Sequence, residues 1–414
     1  MGSANRNPAD RSPADRSPAD KSPAKTGSFD FIRGEAELRT LARKLQTEAA
    51  IAVDTESNSL YAYREQVCLI QFSNTLQDFL VDPLAFQDLS ALGPIFGDPK
   101  IEKVFHAAEY DLLCMRRDFG FETVNLFDTM AAARILGRTE IGLGSLLHAE
   151  FGVTLEKRYQ RANWGQRPLP DYLLDYARLD THYLLALRER LGRELEQRNL
   201  TALAQEDFRR LAANNHETNG NIPGSDRPVD CWRISGSYDL DARQAAILLE
   251  LCRYRDDTAR QLDRPLFKVL SDETLIAIAI NKPKTREELQ RLPGMGGGKN
   301  SRGGKDTRGG QMRRHGQHLL NAVQRGLKAK PIHPPRSKRL DPIIAERLEA
   351  LRNWRKTAAA RIGVPSDVVL PRDLMQALAI ENPRSQGDLE AALKTVPWRL
   401  EHFGSQILET LNRH

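Results

Sequence analysis

The sequence predicts an α/β domain, a mixed sheet flanked by helices, followed by two small all-α domains. Three observations predict it. Short apolar runs lie close together at 49–53, 67–72 and 78–82, the spacing of an antiparallel meander. Strand-like and helical patterns then alternate from 101 to 136, which makes the sheet mixed and puts helices on it. After residue 230 a helical pattern recurs at an offset of 100 residues. A chain of 414 residues has room for roughly two to four domains.

Residues 1–28 are a low-complexity tail. Arg-Ser-Pro-Ala-Asp stands at 11–15 and again at 16–20, and Lys21 opens a third, altered copy. A proline every five residues blocks helix and ladder alike, so disorder is expected. The tail has no apolar core of a secretory signal, and Arg6 stands where N-myristoylation wants Ser or Thr. Residues 29–214 form the first domain. It opens with an amphipathic helix at 35–48 and a strand, Ala49 to Val53, that stops at Asp54. After the meander come a strand at 101–105, a helix at 107–118, a short strand at 124–127 and a helix at 128–136. A loop through 157–170 leads to a helix over 171–197.

A polar linker at 215–230 ends this domain. Beyond it, Leu251, Arg255, Pro265, Val269, Leu270, Ala277, Ala279, Ile280, Pro283 and Leu289 each recur one hundred positions later. The offset then falls to 88, where His315-Gly316 corresponds to Phe403-Gly404. The first copy, 231–330, therefore carries an insertion, assigned to the glycine-rich basic stretch 294–310. A linker at 331–341 precedes the second copy, 342–414.

No run approaches the ~18 apolar residues of a membrane-spanning helix, so no membrane role is expected. The net charge of +6 permits a polyanionic partner without demanding one. Cys68, Cys114, Cys231 and Cys252 have neither metal-finger spacing nor the density of a disulfide framework, which implies a reducing, cytoplasmic setting. A monomer is expected, and no protein partner is inferable.

Asp54 and Glu56 are i and i+2 at a strand end, so both side chains share one face. Two carboxylates so placed repel unless a cation lies between them, and an all-oxygen site suits Mg²⁺ or Mn²⁺. Alone, the pair reads rather as two exposed acids at a strand end. Asp111 lies on a helix among Leu112, Leu113 and Met115, where an acid must face solvent or have a partner. Tyr176 and Asp180 are i and i+4 on one helix face. Alone, Tyr176 reads as a core aromatic.

In chain order, an acidic pair on a strand, a lone helix acid and a Tyr-x-x-x-Asp resemble the DEDDy 3′→5′ exonucleases. Residues 51–73, 103–115 and 157–185, including KRYQRANWGQRPL at 157–169, are similar to ribonuclease D. The repeats at about 242–330 and 342–412 resemble the helicase-and-ribonuclease-D C-terminal (HRDC) domain. The likeness covers nearly everything after residue 29 and departs in the tail and the glycine-rich insertion. It implies a ribonuclease H-like fold and release of 5′-mononucleotides from RNA 3′ ends, tRNA precursors being the family's usual substrate. It also implies two divalent ions, Mg²⁺ or Mn²⁺, about 4 Å apart. By this resemblance Asp54 bridges both ions, Glu56 and Asp180 complete the nucleophile-side site, and Asp111 holds the other. Tyr176 orients the attacking water, since an ordinary phenol with a pKa near ~10 is a poor base. A DNA exonuclease of the same superfamily is one alternative, because the metal site does not distinguish sugars. A non-catalytic RNA-binding scaffold is another, opposed by the intact acids and Tyr176.

Further candidates are weaker. His106 lines the site or packs at a strand end. Asp128 reads as the N-cap of a helix. Lys157, Arg158, Tyr159, Gln160, Trp164 and Arg167 mix cations and aromatics as a stacked single strand requires, or form a solvated loop around a buried Trp. Gln71 receives no assignment. Residues 299–339 hold twelve Lys or Arg against one acid, and Arg302, Lys305, Arg308, Arg313 and Arg314 are candidates for phosphate contact.

Overall fold

A computed structural model describes residues 28–214, 230–296, 310–335 and 341–414. The tail through residue 27, residues 215–229 of the first linker, residues 297–309 of the insertion and residues 336–340 lie outside the described residues. Six strands build one sheet: β1 (Phe29–Ile32), β2 (Ala50–Ser57), β3 (Val67–Ser73), β4 (Asp78–Val81), β5 (Glu102–Phe105) and β6 (Leu126–Asp128). Their order is β1-β4-β3-β2-β5-β6. Strands β2, β3 and β4 are the expected antiparallel meander, while β5 and β6 continue parallel to β2. The short edge strand β1, parallel to β4, was not legible in the sequence.

The helices of this domain are α1 (Glu35–Leu45), α2 (Gly93–Gly97), α3 (Glu109–Phe119), α4 (Thr129–Ile135), α5 (Leu143–Phe151), α6 (Asp171–His182), α7 (Leu184–Gln197) and α8 (Thr201–Asn214). Two expectations are corrected. Strand β2 does not stop at Asp54. Cross-strand pairing with β3 carries it past Glu56 to Ser57, where the register shifts. The helix over 171–197 is two helices that meet at Tyr183.

Each face of the sheet has its own core. Val53, Ile70, Phe72, Phe79 and Val81 pack with Leu38, Leu41 and Leu45 of α1 and with Leu184 and Leu187 of α7. On the opposite face, Leu69 and Leu80 pack against Leu173, Leu174, Tyr176 and Ala177 of α6, closed by Trp164. Leu69 is the cross-strand partner of Glu56, so α6 covers the face that carries both acids of β2.

The first repeat contains α9 (Ala242–Leu262), α10 (Leu266–Val269), α11 (Asp272–Asn281), α12 (Arg286–Gln290) and α13 (Gly310–Lys328). The second contains α14 (Pro342–Ile362), α15 (Ser366–Val369), α16 (Arg372–Glu381), α17 (Gln386–Ala392) and α18 (Pro397–Asn412). The recurrence has a physical basis. Arg255 Nη1 donates to the Leu270 carbonyl at 3.2 Å, as Arg355 Nη1 does to that of Leu370 at 2.8 Å. Lys282 and Asn382 both end a helix with φ of 51°. Gly326 has no replacement of larger size, because a Cβ there would lie 2.5 Å from the Ile247 Cα on α9.

Cys231 and Cys252 pair as a disulfide, a single link and not a framework, because the segment before α9 folds back onto it. Cys68 and Cys114 are free and buried. Among the described residues, no helix is long and apolar enough to cross a membrane.

Candidate active site

Strand β2 aims Asp54 and Glu56 beneath α6, and α6 sets Tyr176 and Asp180 one turn apart on its lower face. The Tyr176 hydroxyl hydrogen-bonds the Asp180 carboxylate. Thr55, between the two acids of β2, also borders the cavity and donates to Asp111 Oδ1 of α3 at 2.5 Å. A cavity of about 490 Å³ is lined by Asp54, Glu56, His106, Gln160, Tyr176 and Asp180, with Gly142 to Ser145 at the start of α5 forming another wall. Asp111 stands behind this lining, held by Thr55.

Burial dominates the electrostatics. It raises Asp54 well above the usual carboxylate range, and Asp111 and Asp180 add to the effect by charge repulsion. Glu56 is raised likewise, by burial first and then by Asp54, Asp180 and Asp111. Burial pushes both Asp111 and Asp180 up to about 7. Burial, followed by the charges of Asp180, Glu56 and Asp54, lifts the Tyr176 phenol far above its ordinary value, so it stays protonated. Four acids displaced in one direction mark a site that lacks compensating positive charge. The donor set is all hard oxygen and fits Mg²⁺ or Mn²⁺. Among the described residues, no three His, Cys, Asp or Glu side chains are already drawn around one ion position.

The weaker candidates divide. Thr129 Oγ1 donates to the Phe105 carbonyl at 3.0 Å and therefore accepts from His106 Nδ1–H at 2.9 Å. That assignment leaves His106 Nε2 as an acceptor on a cavity-lining ring. Burial lowers the His106 pKa and keeps the ring neutral. Lys157 opens the 3-10 turn Lys157–Arg161. In that turn Arg158 pairs with Glu156 at 2.6 Å, Tyr159 packs on Tyr176 with ring centroids 5.7 Å apart, and exposed Gln160 reaches the cavity.

Trp164 and Arg167 have roles other than the expected substrate contact. Trp164 is buried in the core under α6. Arg167 ties the loop to the sheet through Asp82, the Cys68 carbonyl and the Trp164 carbonyl. Asp128 caps α4 through the Met130 and Ala131 amides and also accepts from the Ala108 amide before α3. Arg313 and Arg314 lie exposed on α13, away from the cavity lining. Arg302, Lys305 and Arg308 lie outside the described residues. Sequence reasoning passed over Thr55 and the 142–145 wall. The position of Thr55 between two acids was the available signal for the first, and Gly-Leu-Gly-Ser before an apolar helix for the second.

Residues 29–196 match the 3'-5' exonuclease family, and residues 244–306 and 345–411 each match the HRDC domain. The crystal structure of Escherichia coli RNase D, titled an exoribonuclease involved in structured RNA processing, is 26% identical with a TM-score of 0.67. The likeness covers 94% of this chain and 100% of that one. The catalytic core of RRP6 from Trypanosoma brucei is 30% identical with a TM-score of 0.60, over 74% of this chain and 81% of that one. Exosome complex component 10 of Rattus norvegicus is 35% identical over 254 residues, 60% of this chain and 28% of that protein. The chain spans about a third of the length of the curated relatives it matches. An exonuclease domain on a mixed sheet with two HRDC domains behind it places this chain in the ribonuclease D and RRP6 family of 3′–5′ exonucleases.

Proposed function

We propose that this protein is a metal-dependent 3′→5′ exoribonuclease that trims structured RNA precursors, tRNA among them. The observation that carries this reading is the convergence of Asp54, Glu56, Asp180 and Tyr176 on one cavity, with Asp111 behind its lining and near enough to raise the Asp54 carboxyl. Asp54, Glu56, Asp111 and Asp180 would hold two divalent ions, which when bound activate water and neutralise charge on the attacked phosphoryl and leaving oxygens. Tyr176 keeps its proton and, fixed by Asp180, orients the attacking water. His106 offers an acceptor to a sugar hydroxyl, and Gln160 and Tyr159 flank the terminal base. The structured-RNA substrate is supported by the described role of the Escherichia coli protein.

We infer a cytoplasmic monomer from the sequence. A protein partner is the second reading, favoured by the rat relative, whose name makes it a component of a complex. Sedimentation of the purified chain addresses the oligomeric state.

The deciding experiment is digestion of matched RNA and DNA oligonucleotides, with free and blocked 3′ ends, in Mg²⁺ or EDTA. Stepwise release of 5′-mononucleotides from free RNA 3′ ends, abolished by EDTA, is expected. Cleavage of circular RNA, or equal digestion in EDTA, overturns the reading.

A further inference from the structure

Gln71 lies at the centre of β3, wholly shielded from water, and among the described residues neither its Oε1 nor its Nε2 has a hydrogen-bond partner. A buried primary amide with no partner is costly, and a shape-matched apolar residue would not incur that cost. Ser73 and Asp78, on the same side of the sheet, are satisfied. Ser73 donates to Asp78 Oδ1 at 2.6 Å and bonds Thr181 of α6 at 2.7 Å, and Asp78 also accepts from Arg178 at 3.0 Å. Trp164 Nε1 in the core under α6 lacks a partner too, but Gln71 is the residue that the register sets opposite Asp54.

The register shows what the amide faces. The cross-strand partners of Gln71 are Leu80 on β4 and Asp54 on β2. Directly opposed residues in an antiparallel pair share a face, with Cβ atoms roughly 5 Å apart, within reach of a Gln amide. Leu80 has nothing to offer it. Asp54 carries a carboxylate, and α6 covers both residues from above.

We propose that Gln71 is a positioning residue for Asp54, built for the metal-loaded site. With a divalent ion on the Asp54 carboxylate, the Gln71 N–H group donates to that carboxylate and fixes its orientation. Its carbonyl oxygen is left to accept from a water of the site. The metal-free protein bears the strain of the unpartnered amide, and ion binding relieves it. This inference rests on the metal-dependent reading above.

The test uses the full chain, stripped of metal, as wild type, Gln71→Met and Gln71→Leu. Met matches the length of Gln, and Leu suits the neighbouring Leu69 and Leu80, so either variant that folds suffices. Mn²⁺ binding is titrated by calorimetry and by electron paramagnetic resonance, and melting is followed with and without Mn²⁺. The variants should bind Mn²⁺ about 10–100-fold more weakly, the usual loss for a residue that orients a metal ligand. Without metal they should melt higher, by roughly 2–4 °C, because the unpartnered amide is gone. Activity at saturating Mn²⁺ should recover more fully than activity at limiting Mn²⁺. A residue that merely filled the core would leave Mn²⁺ affinity unchanged. Unchanged affinity, or a lower metal-free melting temperature together with wild-type affinity, overturns the proposal. If the wild type itself binds no Mn²⁺ at the acids, with Asp54→Asn as the control, the functional reading has failed, a distinguishable result.

Discussion

Arg399 of the second repeat and Glu206 of α8 form an ion pair with both side chains wholly out of water, Nη1 to Oε2 at 2.9 Å. Arg399 also bonds Asp207 at 2.7 Å and the Val368 carbonyl at 2.8 Å, and the Trp398 amide donates to Glu206. Removing one partner of such a pair strands the other, at a cost of about 3–5 kcal/mol. Arg399→Met should lower stability by that order in urea unfolding. Pairing it with Glu206→Leu should restore most of the loss. Equal stability of Arg399→Met and wild type would mean that water replaces the guanidinium.

The same pair bears on separability. All four acids precede residue 185, so a chain ending near residue 220 should still remove nucleotides from short RNA. It should melt well below the full chain, because Glu206 loses Arg399, and Glu206→Gln should recover part of the difference. A truncated chain as stable as the whole would show the interface to be energetically idle.

Tyr176→Phe keeps the ring against Trp164 and removes only the hydroxyl. If that hydroxyl orients water, kcat should fall by about 10²-fold with KM little changed. Full turnover in Tyr176→Phe would reduce the residue to packing.

The raised carboxyl groups give a pH dependence whose sign is fixed. Asp111 and Asp180 hold protons up to about pH 7 in the folded protein but release them near pH 4 when unfolded. Between those values the folded state binds more protons, so metal-free stability falls as pH rises. The metal-free melting temperature should therefore drop from about pH 4 to about pH 7, and Asp111→Asn should flatten the drop. Divalent ions should restore stability at neutral pH, and their affinity should rise with pH as protons leave. A metal-free melting temperature that climbs across this range would contradict the burial of the acids.

Replacing Arg302, Lys305, Arg308, Arg313 and Arg314 with Ser should weaken binding to long RNA and reduce its salt dependence. Each lost phosphate contact removes about 0.7 from the log–log slope on single strands. An unchanged slope would return the charge run to solvent.

The antiparallel meander, the two helical repeats and the order of the acids were legible because each is a matter of spacing. Period two on a strand puts Asp54 and Glu56 on one face, i and i+4 on a helix puts Tyr176 over Asp180, and an offset of 100 repeats Arg255 as Arg355. The N-cap role of Asp128 was legible for the same local reason.

Other features belong to the tertiary structure alone. Only packing buries Trp164, turns Arg167 inward to Asp82 and joins Cys231 to Cys252. Only the β2–β3 register sets Gln71 opposite Asp54, and only domain docking hides Arg399 against Glu206. The division has one physical cause. Contacts within a few residues follow from backbone periodicity, which a sequence displays directly. A charge or amide acquires its partner, its burial and its pKa from residues far along the chain, and those meet only when the cores close.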